Sequence, residues 1–228
     1  MKRFLISFSL FILAVSAYSQ LLTSEKLLNY KNSQYGDTKW KQLALQIKDE
    51  IPLNEEKDLV YISFVNVPGA TAEDIFSTLK LWAVEKFSCS ECAIKVMDKE
   101  LRCIIIQDYI DKIIKKGETG LSDDVSLKPI IRIDIKDGKV RITCTNSTYY
   151  VREITYADIF TPVQNDLQPK ISQCYPLVKE SDSDRSYITD KKTNCKALVL
   201  THLSSLLYTK EIEDVLTNKV NSSNKEEW

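Results

Sequence analysis

KPIIRIDIKDGKVRITCTNSTYYV, from Lys128 to Val151, alternates apolar and polar residues on both sides of a single Asp137-Gly138 pair. A two-residue type I′ turn needs positive φ at both central positions, and Asp-Gly is among the few pairs that supply it. The turn length sets the register: Lys136 faces Lys139, Ile135 faces Val140, Asp134 faces Arg141, Ile133 faces Ile142, Arg132 faces Thr143 and Ile131 faces Cys144. One face of this hairpin then carries Ile131, Ile133, Ile135, Val140, Ile142 and Cys144. The other carries Arg132, Asp134, Lys136, Lys139, Arg141 and Thr143. A slip of one residue would drive the charged set into the core, so the register is well specified. The cross-strand pair of Asp134 and Arg141 adds about 0.2–1 kcal/mol. One wet face and one apolar face require a cover for the second.

The flanking sequence supplies that cover. Leu59 to Val67, LVYISFVNV, is β-rich and ends at Pro68-Gly69. Thr71 is placed as a helix N-cap, with Glu73 and Asp74 in the first turn, where the helix dipole favours acids. The helix runs to about Phe87, and its apolar residues Ile75, Phe76, Leu79, Trp82, Ala83 and Phe87 suit the hairpin's apolar face. Glu91 to Met97 and Arg102 to Tyr109 read as two strands joined at Asp98-Lys99-Glu100. Before this core, Gln20 to Asp37 is weakly patterned, and Thr38 to Ile51 has the spacing of a short amphipathic helix. Tyr109 to Leu127 is charged and reads as a long exposed connection. Residues 152–195, with Pro162, Pro169 and Pro176, read as a polar surface excursion. Residues 196–221 are helical by pattern, with a break expected near Thr209. The expected fold class is α+β: a curved antiparallel sheet of about five strands, covered on one face by helices. The core is residues 59–151, preceded by an arm with a short helix over 20–58.

Residues 1–19 have the pattern of an export signal. Lys2 and Arg3 precede an apolar run from Phe4 to Val15, and Ala17-Tyr18-Ser19 is a small-x-small cleavage site, placing the cut between Ser19 and Gln20. The run is short for a membrane span of about 20 residues, so no stable span is expected after cleavage. Loss of Lys2 and Arg3 takes the formal charge from −1 to −3. An exported, mildly acidic chain argues against nucleic acid as a partner. The expected location is periplasmic or extracellular.

Six cysteines in such a chain make disulfides plausible. Cys174 and Cys195 flank the polar excursion, and a bond between them would contribute roughly 3 kcal/mol in the chain-entropy model. Cys89 and Cys92 form a C-x-x-C. It follows a helix and enters a strand, so it lacks the helix N-terminus that lowers a redox thiol's pKa, and a structural disulfide, or two unpaired thiols, is preferred. Cys103 and Cys144 sit among apolar strand residues as core thiols, and a cross-strand disulfide between them requires that their strands adjoin. His202 is the sole histidine and lies beside Leu203 and Leu206, the setting of a packed residue, and one histidine excludes a multi-histidine metal site. The pairs Asp123-Asp124 and Asp182-Asp184 are solvated acids by context. Gly117 to Gly120 lacks the lysine of a phosphate loop. Asn146-Ser147-Thr148 is a glycosylation sequon. Tyr149, Tyr150, Tyr156 and Tyr175 are candidates for a binding surface.

Three stretches in this order resemble an uncharacterised family of exported bacterial domains with a TATA-box-binding-protein-like fold. They are VYISFVNVPGATAEDIFSTLKLWAVEKF, VMDKELRCIII and IRIDIKDGKVRITCTN, together covering about Leu59 to Val151. The chain departs from the family at the second, where Leu101-Arg102 follows Asp-Lys-Glu instead of a Gly, and in its cysteine pattern. The resemblance implies a helix-on-sheet fold and no activity, since a fold does not carry a function with it.

No catalytic, cofactor or metal set emerges. The expectation is a non-enzymatic binding or interaction domain with an envelope or extracellular partner or ligand. Two alternatives stay open: a small hydrolase working with carboxylates alone, and a thiol–disulfide protein using Cys89 and Cys92.

Overall fold

The computed structural model describes residues 21–87, 93–117, 123–156, 162–179 and 188–223. The stretch read as an export signal with Ser19 and Gln20, the Cys89 and Cys92 motif, Gly120 and the Asp182-Asp184 pair lie outside these residues.

The DG hairpin folds in the expected register. Strands β6 (Ile130–Lys136) and β7 (Lys139–Asn146) pair from Lys136 with Lys139 to Ile131 with Cys144, and Gly138 holds φ 68. Strand β1 (Leu59–Asn66) adds antiparallel to β7. On the other side β3 (Cys103–Gln107) pairs with β6, and β2 (Ile94–Asp98) pairs with β3 through a bulge. The five-stranded sheet therefore runs β1-β7-β6-β3-β2.

Helix α3 (Ala72–Lys86) begins where the sequence places it. Thr71 and Asp74 form a capping box, each side chain accepting from the other's backbone N–H. The hairpin turn adds a long-range cap: Asp137 Oδ1 accepts from Ala72 N at 2.7 Å. Two backbone bonds, Gly138 N to Ala70 O at 2.9 Å and Val67 N to Gly138 O at 2.8 Å, tie the turn to the β1–α3 loop. The α3 residues Ile75, Phe76, Leu79 and Trp82 share one buried core with Ile131, Ile133, Ile135, Val140 and Ile142. Each such side chain contributes about 1.5–3 kcal/mol of burial before entropy is charged.

Two helices precede β1: α1 (Ser24–Tyr35), capped by Thr23, and α2 (Trp40–Ile47). The C-terminal helix α4 (Lys191–Ser223) runs unbroken through Thr209, where a break was expected, and packs on α1, α2, α3, β1 and β7. Its stretch from Thr193 to Ser205 is buried at every position, so α4 is a central core element and not a one-sided cover.

A second sheet is the main departure from the sequence reading. It runs β4-β5-β8-β9, with β4 (Ile110–Ile114), β5 (Asp124–Leu127), β8 (Tyr149–Tyr156) and β9 (Pro162–Leu167). The connection expected over Tyr109 to Leu127 thus holds two strands, and Ile110, Ile113 and Ile114 are buried. The excursion expected over 152–195 holds most of β8, all of β9 and a 3₁₀ turn (Ile171–Gln173), with Ile171, Cys174 and Tyr175 buried. The expected bridge is not formed: Cys174 and Cys195 are both buried thiols, and Cys174 Sγ donates to Lys170 O at 3.4 Å.

Candidate interaction surface

The five-stranded sheet has two unlike faces. The alternation that sends Ile131, Ile133 and Ile135 under α3 sends Arg132, Asp134 and Lys136 to the opposite side. Register extends this second face across the sheet. Lys139, Arg141 and Thr143 of β7 lie beside Asn66, Phe64 and Ile62 of β1. Cys103, Ile105 and Gln107 of β3 lie beside Asp134, Arg132 and Ile130 of β6. Ile62 and Phe64 are each 58% exposed, and Ile130 is 40% exposed. Among the described elements no helix covers this face.

An ion-paired triad holds its middle. Arg132 Nε donates to Asp134 Oδ1 at 2.9 Å, and Arg141 donates to Oδ2 from Nη2 at 2.7 Å and Nε at 3.1 Å. Partial burial pushes the Asp134 carboxyl up, but the two guanidiniums outweigh it and hold it below the usual aspartate value. Lys139 Nζ sits 4.7 Å from the Phe64 ring centroid. The face carries Arg132, Lys136, Lys139 and Arg141 against Asp98 and Asp134, a positive balance in a chain of negative net charge. Cys103 is buried beneath these side chains. Burial pushes its thiol up, which suppresses nucleophilic reactivity.

The other cysteines and polar residues singled out in the sequence lie in the core. Burial raises the Cys144 thiol to about 11 and the Cys174 thiol to about 12. Cys103 and Cys144 do not adjoin, because β6 separates their strands. His202 is buried with its Nδ1 3.0 Å from the Tyr61 hydroxyl, so it locks α4 to β1. The sequon residue Asn146 is buried, donating from Nδ2 to Ser205 Oγ at 3.1 Å, a position no glycan can reach in the folded chain. Tyr149 and Tyr175 are buried, whereas Tyr150 is partly exposed with Lys128 Nζ 4.1 Å from its ring centroid. The Tyr156 side chain lies outside the described residues.

The Asp123-Asp124 pair, read as solvated, is not: Asp123 is buried and Asp124 is held in an ion pair. A cleft of about 710 Å³ holds Asp111 and Asp124 with Lys112, Lys115 and Lys116. Asp124 pairs with Lys112 at 3.3 Å, and Asp111 accepts from Tyr109 at 3.1 Å and from Ser126 at 3.3 Å. Asp108 accepts from Tyr208 at 2.6 Å; burial pushes its carboxyl above the ordinary value. Among the described residues no group of three or more His, Cys, Asp or Glu is placed to hold a metal ion. None of the described helices is long and apolar enough to cross a membrane.

Sequence reasoning found the hairpin's half of the open face and missed Ile62, Phe64 and Ile105. The signal lies in register: only when β1 is placed beside β7 do its even-numbered residues fall on the charged side.

Comparison with curated proteins gives no match. Two solved structures are similar. One is a TBP-like protein from Parabacteroides distasonis, with TM-score 0.50 and 12% identity over 74% of this chain and 97% of that one. The other is a DUF4468 family protein from Bacteroides ovatus, with TM-score 0.51 and 12% identity over 73% of this chain and 90% of that one. Likeness at this identity speaks to the fold. Residues 61–150 match the family model described as a domain of unknown function (DUF4468) with TBP-like fold, which is the family that the strand–turn–helix, the strand turn and the DG hairpin resemble.

Proposed function

We propose that this chain is an exported, non-enzymatic interaction domain that binds a protein partner in the periplasm or at the cell surface through the open face of its five-stranded sheet. The observation that carries the reading is that face itself: exposed apolar side chains at one edge, a positive balance of charge, and no covering helix among the described elements. Contiguous exposed apolar surface edged by polar groups is a common mark of an interaction site. The charge balance favours a partner whose contacting surface is acidic, since complementary potentials raise the association rate and fix orientation.

The test is charge reversal at the centre of the face. The mature chain, residues 20–228, is used to isolate partners from envelope extracts, beside the double variant Arg132→Glu/Arg141→Glu and the control Lys80→Glu on α3. The expected outcome is a partner retained by the wild type and the control, and weakened at least about tenfold by the double variant. Equal retention by all three overturns the reading, because the face is then merely solvated.

A further inference from the structure

The outer edge of β1 is an unguarded strand edge. Its first residues are covered: Val60 N donates to Pro52 O at 3.0 Å, and Leu53 bridges Leu59. An outward N–H at Val60 fixes the direction of every second residue, so the backbone groups of Ile62, Phe64 and Asn66 also point away from β7. None of these three has a backbone partner on that side among the described residues. Natural sheets guard such edges with lysine, proline, a bulge or a cover. β1 has none of these from Tyr61 to Asn66: it carries no charge, and its register with β7 is unbroken over eight residues. The opposite edge shows the contrast, since β2 has both a bulge and Lys95.

We propose that β1 pairs with β1 of a second copy of this chain, antiparallel about a two-fold axis, joining the two sheets into one of ten strands. Three observations select a second copy. The uncovered span begins after Val60 and ends at Asn66, and a dyad at Phe64 uses just that span, pairing Ile62 with Asn66 of the second copy and Phe64 with its own symmetry mate. The strand is uncharged, so self-pairing brings no like charges together. The exposed Ile62 and Phe64 side chains lie on the open face, where the pairing sets Phe64 against its symmetry mate with Ile62 diagonal to it, and leaves the charged triad accessible. A two-fold contact of this kind is isologous and closes without growing into a fibre. It shares Ile62 and Phe64 with the proposed interaction face and leaves Arg132 and Arg141, the residues reversed in that test, outside the dimer contact, so the two readings fail separately.

The experiment is sedimentation of the mature chain over a wide concentration range, with the variants Phe64→Pro and Phe64→Lys. Proline is tolerated on an edge strand where the lost N–H faces outward, so the ladder to β7 survives while the dyad hydrogen bond does not. Thermal unfolding checks that each variant is folded. The expected result is a dimer for the wild type and association weakened at least about tenfold, toward monomer, in both variants. A second measurement does not depend on loss of binding: Phe64→Cys places two thiols at a Cα separation near 5.5 Å across the dyad, within disulfide range, and mild oxidation links the dimer. A wild type that stays monomeric, a dimer untouched by both Phe64→Pro and Phe64→Lys, or no link from Phe64→Cys overturns the proposal.

Discussion

The two faces of the five-stranded sheet are made by the same strands at alternate residues, yet they answer to different physics. On one, Ile131, Ile133, Ile135, Val140 and Ile142 are closed over by the core that α3 and α4 complete. On the other, one residue away along the chain, Arg132, Asp134, Lys136, Lys139 and Arg141 stand in solvent with Ile62 and Phe64. The first face makes the fold stable, and exchange of its residues is felt as cavities. The second contributes little to folding and is therefore available for recognition. The difference also separates what a substitution should change, stability on one side and association on the other.

The largest expected effect tests this division directly. Ile142→Ala, with its side chain fully buried, should lower unfolding stability by about 2–5 kcal/mol through lost burial and an unfilled cavity. Ile130→Ala, on the open face of the adjacent strand, should stay within about 0.5 kcal/mol. Chemical denaturation of both variants measures the gap. Equal losses would mean that the open face is covered in solution.

The legibility of the two sheets follows from the same contrast. The hairpin announces itself because its period of two is uninterrupted and its turn residues admit a single connection, and β1 and α3 are bounded by Pro68-Gly69 and a Thr71–Asp74 capping box. The second sheet lacks such regularity. In β4, Lys112 takes φ 45 and the pairing with β5 shifts between Ile110 and Ile114, so Ile113 and Ile114 are both buried and no alternation can be read. β5 has only four residues, and β9 begins with Pro162 and is exposed where described, features that read as loop. The α4 helix misled in the opposite sense: buried on every side from Thr193 to Ser205, it carries Thr201, Ser204 and Ser205 inside the core, where their hydroxyls bond back to the helix's own carbonyls. The open face was half legible, since β6 and β7 declare their polar residues while β1's contribution depends on a long-range pairing. In the strand turn Arg102 holds φ 52, a left-handed conformation that glycine adopts freely and a residue with a Cβ does not.

A smaller effect separates the faces by pH. His202 sits on the covered side, and its burial holds the ring's pKa below 6.5, a shift that nearby Glu50 partly offsets. A histidine whose folded pKa is lowered contributes stability above the unfolded value near 6.5, and loses it as pH falls below that value through the folded one. Replacement by Gln should cost about 0.5–1.5 kcal/mol at pH 8 if the bond to Tyr61 is lost. It should also flatten the dependence of the unfolding midpoint on pH just below 6.5. The measurement is a series of thermal melts of wild type and His202→Gln between pH 8 and pH 5; parallel curves would show that His202 titrates alike in both states.

The smallest effect on folding belongs to Asp134, and its smallness is the point. Its carboxylate bridges Arg132 on its own strand and Arg141 on the next. Yet both arginines are about half exposed, and solvent screens such pairs to between 0 and about 1 kcal/mol. Asp134→Asn should therefore shift stability by less than about 1 kcal/mol at neutral pH. Because the folded pKa is lowered, the contribution is complete above the ordinary aspartate value near 3.9 and fades as pH falls through the folded value. Chemical denaturation at pH 7 and pH 3 reads both statements. With Asp134 neutralised, Arg132 and Arg141 keep their charge and lose their shared anchor, so the face becomes more positive and less ordered. A loss of several kcal/mol would instead place the triad among the elements that hold the sheet together, and the division between a face that folds and a face proposed to recognise a partner would fail at its centre.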